Sequence, residues 1–390
     1  MFKKRHLVLT AVITAVVVWV LASLLFARTT VYQSADVLLR ARNTISQNYV
    51  NPLTDEQIER MNDMAISAMV YSLEDQYSTY LNATALDAYQ EDKKENYVGI
   101  GVSVNFDYDA DEMTVISPYD GSPAHQAGIL PGDVITKVGT LEVNAETYEA
   151  VLDYIKTGED GIIKMTIRRG DAFLDLDVER KEIKRETVTH KMFAGRIGYI
   201  RVSEFIQNTK DDFAAALQDL KGRNMAGLII DLRNNPGGYA DTVLAMTDML
   251  LPEGVIAYLE DSHGKRQYFH SDENALDIPM VVLINQGSAS ASELLAGSLK
   301  AHGLATIIGE KSFGKAVGQS LYPLTTQTAL YLTNARYFTP KGECIDGIGI
   351  EPDIQVPLAE ELIGKISVLE PEEDAQLSRA LEVLAQKTEP

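Results

Sequence analysis

Cysteine is almost absent from this chain, because Cys344 is the only one in 390 residues. An internal disulfide is therefore impossible, and a zinc site built from several thiolates is excluded. The six histidines are scattered along the sequence, and none has the HExxH spacing of a helical zinc site. We therefore expect no metal and no other cofactor, and an environment in which stability does not depend on disulfides.

Positive charge is also scarce. The chain carries 35 lysines and arginines against 56 aspartates and glutamates, which gives a formal net charge of −21. Without an excess of cations to neutralise phosphates, a nucleic-acid partner is not expected. The composition, 45% hydrophobic and 23% charged, is that of an ordinary globular protein, and the length is sufficient for two or three domains.

One long hydrophobic run lies near the N-terminus. Residues 7–27 form an uncharged stretch of 21 residues, which is long enough to cross a bilayer as a helix. No A-x-A pattern closes the run, so an uncleaved anchor is favoured over a cleavable signal peptide. The basic residues "KKRH" ahead of it are typical of a cytoplasmic N-terminus. We expect a single-pass protein of a bacterial cell membrane, with the rest of the chain on the extracytoplasmic side.

The period of the apolar residues changes along the chain. Apolar residues three and four apart predict helices near both ends, whereas short alternating runs predict strands in between. Past residue 185, strands alternate with helices, which indicates a sheet with crossover connections and a mixed α/β class. The predicted segments are a cytoplasmic stub with the anchor (1–30), a helical region (31–95), a compact unit of short strands (96–185), an α/β core (186–360) and a helical tail (361–390).

The turn "GSASASE", residues 287–293, follows the strand-like run "MVVLIN" and precedes the helical pattern "LLAGSLKAHG". One interpretation is a capping box, in which Ser290 accepts from the N–H group of Glu293 and Glu293 reaches back. The other is that Ser290 is a nucleophile. At the first turn of a helix, unpaired N–H groups and the helix dipole would stabilise an oxyanion formed beside it. The sequence leaves both open.

A nucleophilic serine needs a base. His302 lies at the far end of the same predicted helix, about 18 Å from Ser290, and cannot reach it. Lys315, in "GEKSFGKAVGQS", follows a pattern similar to a phosphate-binding loop. However, Ala316 replaces the required Ser or Thr and no helix follows. The lysine could instead act as the base if burial lowers its pKa from about 10.4, with Gln319 holding it in place.

A second strand-to-helix turn, "DLRNNPGGY" at 231–239, contains paired glycines. Gly237 and Gly238 would let the backbone approach a ligand closely and present N–H groups to it. A purely structural turn explains the same residues equally well. The chemical interpretation therefore depends on whether this turn meets Ser290 and Lys315 in the fold.

These stretches together resemble the carboxyl-terminal processing peptidases, also called tail-specific proteases. The likeness rests on "DLRNNPGG", "NQGSASASELLAGSLK", "GEKSFGKAVGQ" and "YFTPKGECIDGIGIEPD", and includes "YSLEDQYSTYL" upstream. It implies a crotonase-like β/α protease core with an inserted PDZ domain at 96–185. It also implies a role for each candidate residue. Ser290 would be the nucleophile, Lys315 the base and Gln319 the amide that orients the base. The backbone of Gly237, Gly238 and Ala291 would donate to the oxyanion.

The resemblance further implies that the PDZ domain captures substrate tails. Its loop "VGIGV" would bind a terminal carboxylate through backbone N–H groups, and the peptide would add as a strand. The residues of this loop are Val98, Gly99, Ile100, Gly101 and Val102. The implied partners are proteins or peptides with free C-termini, and the implied activity is a membrane-anchored serine endopeptidase that cuts near those termini.

Some features of the sequence leave alternatives open. The lysine loop of relatives usually reads close to F-G-K-G-x-V-Q, whereas this chain has Ala316 and Gly318. The spacing of Ser290, Lys315 and Gln319 is kept, so activity is still expected. A catalytically inactive PDZ scaffold is the competing hypothesis, and these three intact residues argue against it. Arg168 or Arg169 would be the candidate that links the PDZ domain to the protease core. The helices predicted in 31–95 and 373–388 would contribute to a homodimer, or pack on their own subunit.

Overall fold

The computed structural model describes residues 12–20, 30–92, 96–107, 110–118, 122–130, 132–158, 161–363 and 365–388. The chain divides into two compact units, residues 1–80 and residues 81–390.

The N-terminal unit is helical in its described part. Residues 12–20 form a helix, followed by α1 (Thr30–Asn48) and α2 (Asp55–Tyr71), and a short strand β1 (Thr79–Leu81) begins at its end. Helix α2 starts with a capping box, in which the N–H group of Gln57 donates to Thr54 Oγ1 and the N–H group of Thr54 donates to Gln57 Oε1. Helices therefore occupy most of residues 30–71, as the apolar period predicts, whereas residues 79–81 form a strand inside the predicted helical region (31–95).

The structure does not support the predicted membrane anchor. In the part of the chain that it describes, no helix combines the length and the apolar character needed to cross a bilayer. Of the predicted span 7–27, only residues 12–20 are described, and they form a helix. The other residues of the span lie outside the described residues, so the anchor remains a prediction.

The first part of the larger unit is a small β-rich domain. An antiparallel sheet runs in the order β3-β4-β5-β7-β8, with β6 beside β5, and a separate ribbon pairs β2 with β9. Its core is formed by apolar side chains such as Met113, Ile135 and Ile163. The elements are α3 (Ala83–Asp92), β2 (Asn96–Gly99), β3 (Val102–Asp107), β4 (Glu112–Pro118), α4 (Pro123–Gln126), β5 (Val134–Val138), β6 (Leu141–Glu142), α5 (Tyr148–Thr157), β7 (Ile162–Arg169), β8 (Ala172–Glu179) and β9 (Lys181–Lys184).

The two candidate linking arginines pair with acids of this β-rich domain. Arg168 Nη2 lies 2.6 Å from Glu112 Oε1, and Arg169 Nε lies 2.7 Å from the buried Asp133 Oδ1. Arg169 also donates to the carbonyl of Gly128. In this structure both guanidinium groups therefore tie strands and turns of their own domain together.

The second part is the predicted α/β core. A six-stranded sheet runs in the order β10-β11-β12-β15-β16-β19, in which only the β10–β11 pair is antiparallel. A second, antiparallel sheet contains β13, β14, β17 and β18. The elements are β10 (Val188–Phe193), a 3-10 turn (Ala194–Arg196), β11 (Ile197–Val202), α6 (Thr209–Gly222), β12 (Gly227–Asp231), α7 (Ala240–Asp248), β13 (Gly254–Asp261), β14 (Arg266–Ser271), β15 (Met280–Ile284), α8 (Ala291–His302), β16 (Ala305–Gly309), β17 (Val317–Pro323), β18 (Ala329–Phe338), β19 (Ile354–Gln355), α9 (Glu360–Ile363) and α10 (Ala375–Thr388).

Helices cover both faces of the parallel sheet, so its central strands are buried throughout. Because side chains alternate along a strand, Leu228 and Ile230 of β12 join the core under α6, α7 and α8, while Ile229 joins the core under α10. The predicted crossover architecture is confirmed. The carboxyl ends of β12, β15 and β16 lie side by side in the sheet. The segment after β12 carries Gly237 and Gly238, the one after β15 carries Ser290 and Ala291, and the one after β16 carries Lys315.

Candidate active site

The three serines of "SASAS" divide into two structural residues and one accessible residue. Ser288 is buried and donates to the carbonyl of Leu232 at 2.8 Å, and Ser292 is buried and donates to the carbonyl of Asn235 at 2.9 Å. These two hydroxyl groups fasten the start of α8 to the neighbouring turn. Ser290, between them, is half-buried and is therefore the serine that a substrate can reach.

Ser290 has an unusual backbone conformation. Its φ of +55° and ψ of −112° are rarely adopted by a residue with a side chain. Such a conformation costs about 1–3 kcal/mol and persists only where the surroundings enforce it. Ser290 is the N-cap of α8, so it lies at the positive end of a 12-residue helix.

The segment between β16 and β17 that contains Lys315 (residues 310–316), called the lysine loop, lies against the turn of Ser290. The N–H group of Phe313 donates to the carbonyl of Ser288 at 3.0 Å. Glu293 Oε2 accepts from the N–H group of Ser290 at 2.9 Å and from that of Lys315 at 2.8 Å. Since both bonds end on one oxygen atom, the two backbone nitrogens lie within about 6 Å of each other. The fold thus brings together two residues that are 25 positions apart in the sequence.

Gln319 lies on strand β17, next to a β-bulge. The register between β17 and β18 shifts between Gly318 and Gln319, and such shifts change the direction of a side chain. In the described part of the chain, the buried Nε2 atom of Gln319 has no hydrogen-bond partner. Strand β17 also replaces the helix that a phosphate-binding loop requires at this point, so that alternative for Lys315 is wrong.

The turn at residues 231–239, called the glycine turn, contacts the turn at residues 287–293, called the serine turn. A Cβ atom on Gly237 would lie 2.9 Å from Ser290 Cβ and 3.0 Å from the backbone nitrogen of Ala291. The N–H group of Gly237 donates to Asn235 Oδ1 at 2.9 Å. Among the residues that the structure describes, the N–H groups of Gly238 and Ala291 have no acceptor. Of the predicted oxyanion donors, these two are the ones available to a substrate.

A methyl group at Gly237 should impair the site. In Gly237→Ala, the new Cβ atom would push against the backbone of the serine turn, and φ of +108° is unfavourable for alanine. We expect proteolysis to fall by about 100-fold, because small displacements of reacting groups have effects of that size. Gly264→Ala is the matched control, since its φ is +76° but no atom lies within 4 Å of the added Cβ. Equal activity of both variants in a peptide-cleavage assay would contradict this expectation.

His302 does not take part in the site. Its Nε2 atom lies 2.9 Å from the carbonyl oxygen of Val255, at the C-terminal end of α8. The helix ends at Gly303, whose φ of +72° is the usual left-handed C-cap conformation. The sequence-based assignment of His302 as a helix-end residue is confirmed.

The predicted peptide-binding loop lines an apolar groove in the β-rich domain. Strand β3 pairs with β4, and the described residues contain no strand on its other edge. The groove encloses about 100 Å³, and an added peptide strand could pair with β3 there. Its lining includes the five residues of the loop and part of helix α5, namely Val98, Gly99, Ile100, Gly101, Val102, Leu152, Ile155 and Lys156.

Three residues that support the site were not predicted from the sequence. The sequence indicated Glu293 only as a capping partner of Ser290. That capping bond is present, from the N–H group of Ser290 to the carboxylate of Glu293. Asn235 orients the N–H group of Gly237, and the hydroxyl group of Tyr337 donates to the carbonyl of Ser290 at 3.1 Å. Only the S-x-x-E pattern gave a signal, because the other contacts join distant parts of the chain.

Two buried titratable groups surround the serine turn. Burial raises the pKa of the Glu293 carboxyl, and its hydrogen bonds with Ser312 and the nearby backbone N–H groups oppose that rise. Burial, together with the charge of Glu293, raises the pKa of the Tyr337 phenol well above its usual value. Tyr337 therefore stays protonated and remains a hydrogen-bond donor to the backbone of Ser290.

The sequence and fold of this chain are similar to those of known proteins. The sequence profile of Peptidase family S41 matches residues 196–356, and that of a PDZ domain matches residues 114–169. A carboxy-terminal-processing protease of Bartonella bacilliformis is 35% identical over 368 residues, which cover 86% of this chain and 83% of that protein. This chain belongs to peptidase family S41. Family S41 consists of serine-type proteases, so the mixed α/β core is a serine protease fold and the β-rich domain is a PDZ domain.

Other S41 relatives cover much of the chain as well. A Staphylococcus aureus protein described as a "Probable CtpA-like serine protease" is 32% identical over 302 residues, which cover 76% of this chain but 60% of that protein. The solved photosystem II D1 C-terminal processing protease matches with a TM-score of 0.54 and 29% identity, covering 88% of this chain and 92% of that one. The likeness therefore extends over the PDZ domain and the protease core together.

Proposed function

We propose that this S41 protease is a serine endopeptidase that uses Ser290 as nucleophile and Lys315 as base. The observation that carries this proposal is the contact of both backbone N–H groups with one oxygen of Glu293, which holds the lysine loop against the serine turn. The neutral amine of Lys315 would accept the proton of Ser290 Oγ as that oxygen attacks the scissile carbonyl carbon. Gln319 would hold the amine in place.

The negative charge of the tetrahedral intermediate would then be stabilised by the available N–H groups of Gly238 and Ala291. When the peptide C–N bond breaks, the protonated Lys315 gives its proton to the leaving amine, and an ester of Ser290 remains. Water, deprotonated by the same amine, attacks the ester and releases the second product. Each step conserves protons and needs no cofactor.

The substrate class follows from the PDZ groove and from the relatives. The groove beside the free edge of β3 can take a peptide strand, and two relatives are named as carboxy-terminal-processing enzymes. We propose that the groove binds substrate tails and that cleavage occurs near those C-termini. The uncharged run at 7–27 supports a second proposal, that the chain is anchored in a cell membrane with the protease on the extracytoplasmic side.

The test compares the full chain with Ser290→Ala on an unstructured protein that ends in apolar residues. We expect wild type to cut the substrate and Ser290→Ala to leave it intact, because no other group in the proposal supplies the nucleophile. A substrate whose terminal carboxylate is amidated should be cut more slowly if the PDZ groove reads the tail. Recovery of the chain from membranes only after detergent treatment would support the anchor.

Two outcomes would contradict the proposal. Equal digestion by wild type and Ser290→Ala would place the activity elsewhere. Binding of the tail peptide without any cleavage by wild type would support the alternative, an inactive PDZ scaffold.

A further inference from the structure

Glu293 makes more contacts than a helix cap requires. In a capping box, the glutamate side chain satisfies one N–H group, that of the N-cap residue. Here the two carboxylate oxygens accept from four donors. Oε1 accepts from the hydroxyl group of Ser312 at 2.6 Å and the N–H group of Gly314 at 2.7 Å, while Oε2 accepts from the N–H groups of Ser290 and Lys315 at 2.9 and 2.8 Å.

Three of these four donors come from the lysine loop, 19 to 22 residues after Glu293 in the sequence. The carboxylate has about four acceptor positions, and this arrangement fills them. Glu293 is only 1% exposed, so water cannot replace a bond that is lost. The side chain is thus the physical link between the element that carries Ser290 and the element that carries Lys315.

The backbone of both elements needs such a link. Ser290 has a strained conformation, with φ of +55°, and the lysine loop has no helix or strand of its own between Gly309 and Val317. Strained turns keep their shape only when surrounding bonds define it. Proton transfer from a serine to an amine requires the two atoms to be at hydrogen-bonding distance, so a shift of about 1 Å is enough to slow the reaction.

We propose that Glu293 is a positioning residue, whose carboxylate sets the separation between Ser290 and Lys315 by holding the serine turn and the lysine loop together. This inference rests on the proposed function of these two residues. The bonds of Glu293 come from backbone N–H groups and from the Ser312 hydroxyl, not from Ser290 Oγ or the Lys315 amine. Its removal should therefore lower kcat and leave KM, which reports mainly on substrate binding, almost unchanged.

The test uses the full chain and steady-state cleavage of one tail-bearing substrate. In Glu293→Ala, we expect kcat to fall by at least about 100-fold with KM within about twofold of wild type. Glu293→Gln should keep about a tenth of wild-type kcat. Its carbonyl oxygen can still accept from the N–H groups of Ser290 and Lys315, and the Ser312 hydroxyl can turn to accept from the amide, but the N–H group of Gly314 loses its acceptor. Such partial rescue separates positioning from a general loss of stability.

Ser298→Ala is the matched control on the same helix. Ser298 is buried and donates to the carbonyl of Ile256 at 2.6 Å, two turns away from Ser290, so its loss should change stability but not kcat. If Glu293→Ala does not fold, Glu293→Gln decides by itself: a kcat reduced about tenfold at unchanged KM supports the proposal. A kcat equal to that of wild type overturns it.

Parallel assays of Ser290→Ala separate this inference from the proposed function. If Ser290→Ala is inactive while Glu293→Ala keeps a kcat within about threefold of wild type, the positioning role alone is overturned. A raised KM with unchanged kcat overturns it as well. If Ser290→Ala cuts as fast as wild type, the proposed function fails and the positioning role fails with it.

Discussion

Replacement of Lys315 by alanine is expected to lower the rate of proteolysis by at least about 10⁴-fold, because members of a catalytic unit have effects of that size when removed singly. The fold should survive, since the bond from the loop to Glu293 comes from the backbone N–H group of Lys315 and not from its side chain. Binding of a tail peptide to the PDZ groove should stay within twofold of wild type. Raising the pH should not restore activity, because no replacement base is formed.

Two further variants make the Lys315 experiment specific. Lys315→Arg keeps the positive charge but cannot give up a proton near neutral pH, so it should be as inactive as Lys315→Ala. Lys311→Ala, four residues earlier, removes an exposed lysine that pairs with Glu351 at 2.7 Å, and it should keep wild-type activity. An active Lys315→Arg protein would show that charge, not proton transfer, is what position 315 supplies.

The second large effect is expected on stability, in Arg233→Leu. Arg233 is completely buried, and its Nη2 atom lies 2.6 Å from Asp231 Oδ2 and 2.8 Å from Asp374 Oδ2. Removal of one partner from a buried ion pair leaves uncompensated charge and costs about 3–5 kcal/mol. We expect the free energy of unfolding in urea at neutral pH to fall by about that amount. Arg379→Leu, which breaks an exposed pair with Glu382, should cost less than about 1 kcal/mol.

The pH dependence of this loss has a defined sign. In wild type, burial alone would raise the pKa of Asp231, but the charges of Arg233 and Arg201 outweigh it and lower the pKa to about 2. The Asp231–Arg233 pair therefore stabilises the fold at pH values above the usual pKa of an aspartate. This stabilisation is lost as the pH falls toward about 2. Without Arg233, burial should raise the pKa of Asp231, although Arg201 remains 3.5 Å away.

The difference in stability between Arg233→Leu and wild type should consequently be smaller at about pH 5 than at about pH 7, because protonation relieves the unpaired carboxylate. Urea titrations at both values measure this difference. A deficit of the same size at both pH values would show that the lost stability comes from packing and not from charge.

The buried Arg233 also connects the C-terminal segment to the glycine turn. Its Nη1 atom donates to Asp374 Oδ1 and to Gln376 Oε1, both at 2.9 Å and both at the start of α10. Arg233 itself lies at the beginning of the turn that leads to Gly237. The tail helix is thus bonded to the turn that carries a proposed oxyanion donor, and not only packed beneath the sheet.

The core strands were predictable because their period and burial are local properties. The apolar runs around Ile197, Leu228, Met280 and Ile307 predicted four strands, and all four lie in the parallel sheet. A strand covered by helices on both faces must be apolar at nearly every position, and that pattern is visible without tertiary information. The helices between these strands were predicted by the same reasoning.

The contacts within the site were not predictable in the same way. Glu293 fits a helix cap in sequence, yet most of its donors come from a loop about 20 residues further on. The close approach of Gly237 to Ser290 joins residues 53 positions apart. Local patterns indicate local bonds, whereas these contacts depend on the order of the strands. Gly237 meets Ser290 because β12 and β15 are neighbours in the sheet, and Glu293 meets the lysine loop because β15 and β16 are neighbours.

The sequence by itself determined the α/β core, the absence of disulfides and the residue types available for serine chemistry, because periodicity, composition and single motifs are written along the chain. Only the tertiary structure decided which of three similar serines is accessible and which loops meet there. It also assigned to a buried glutamate the bonds that hold two of these loops together. Hydrogen bonds between distant segments depend on strand order and on which groups lose contact with water, and neither is encoded in any one stretch of residues.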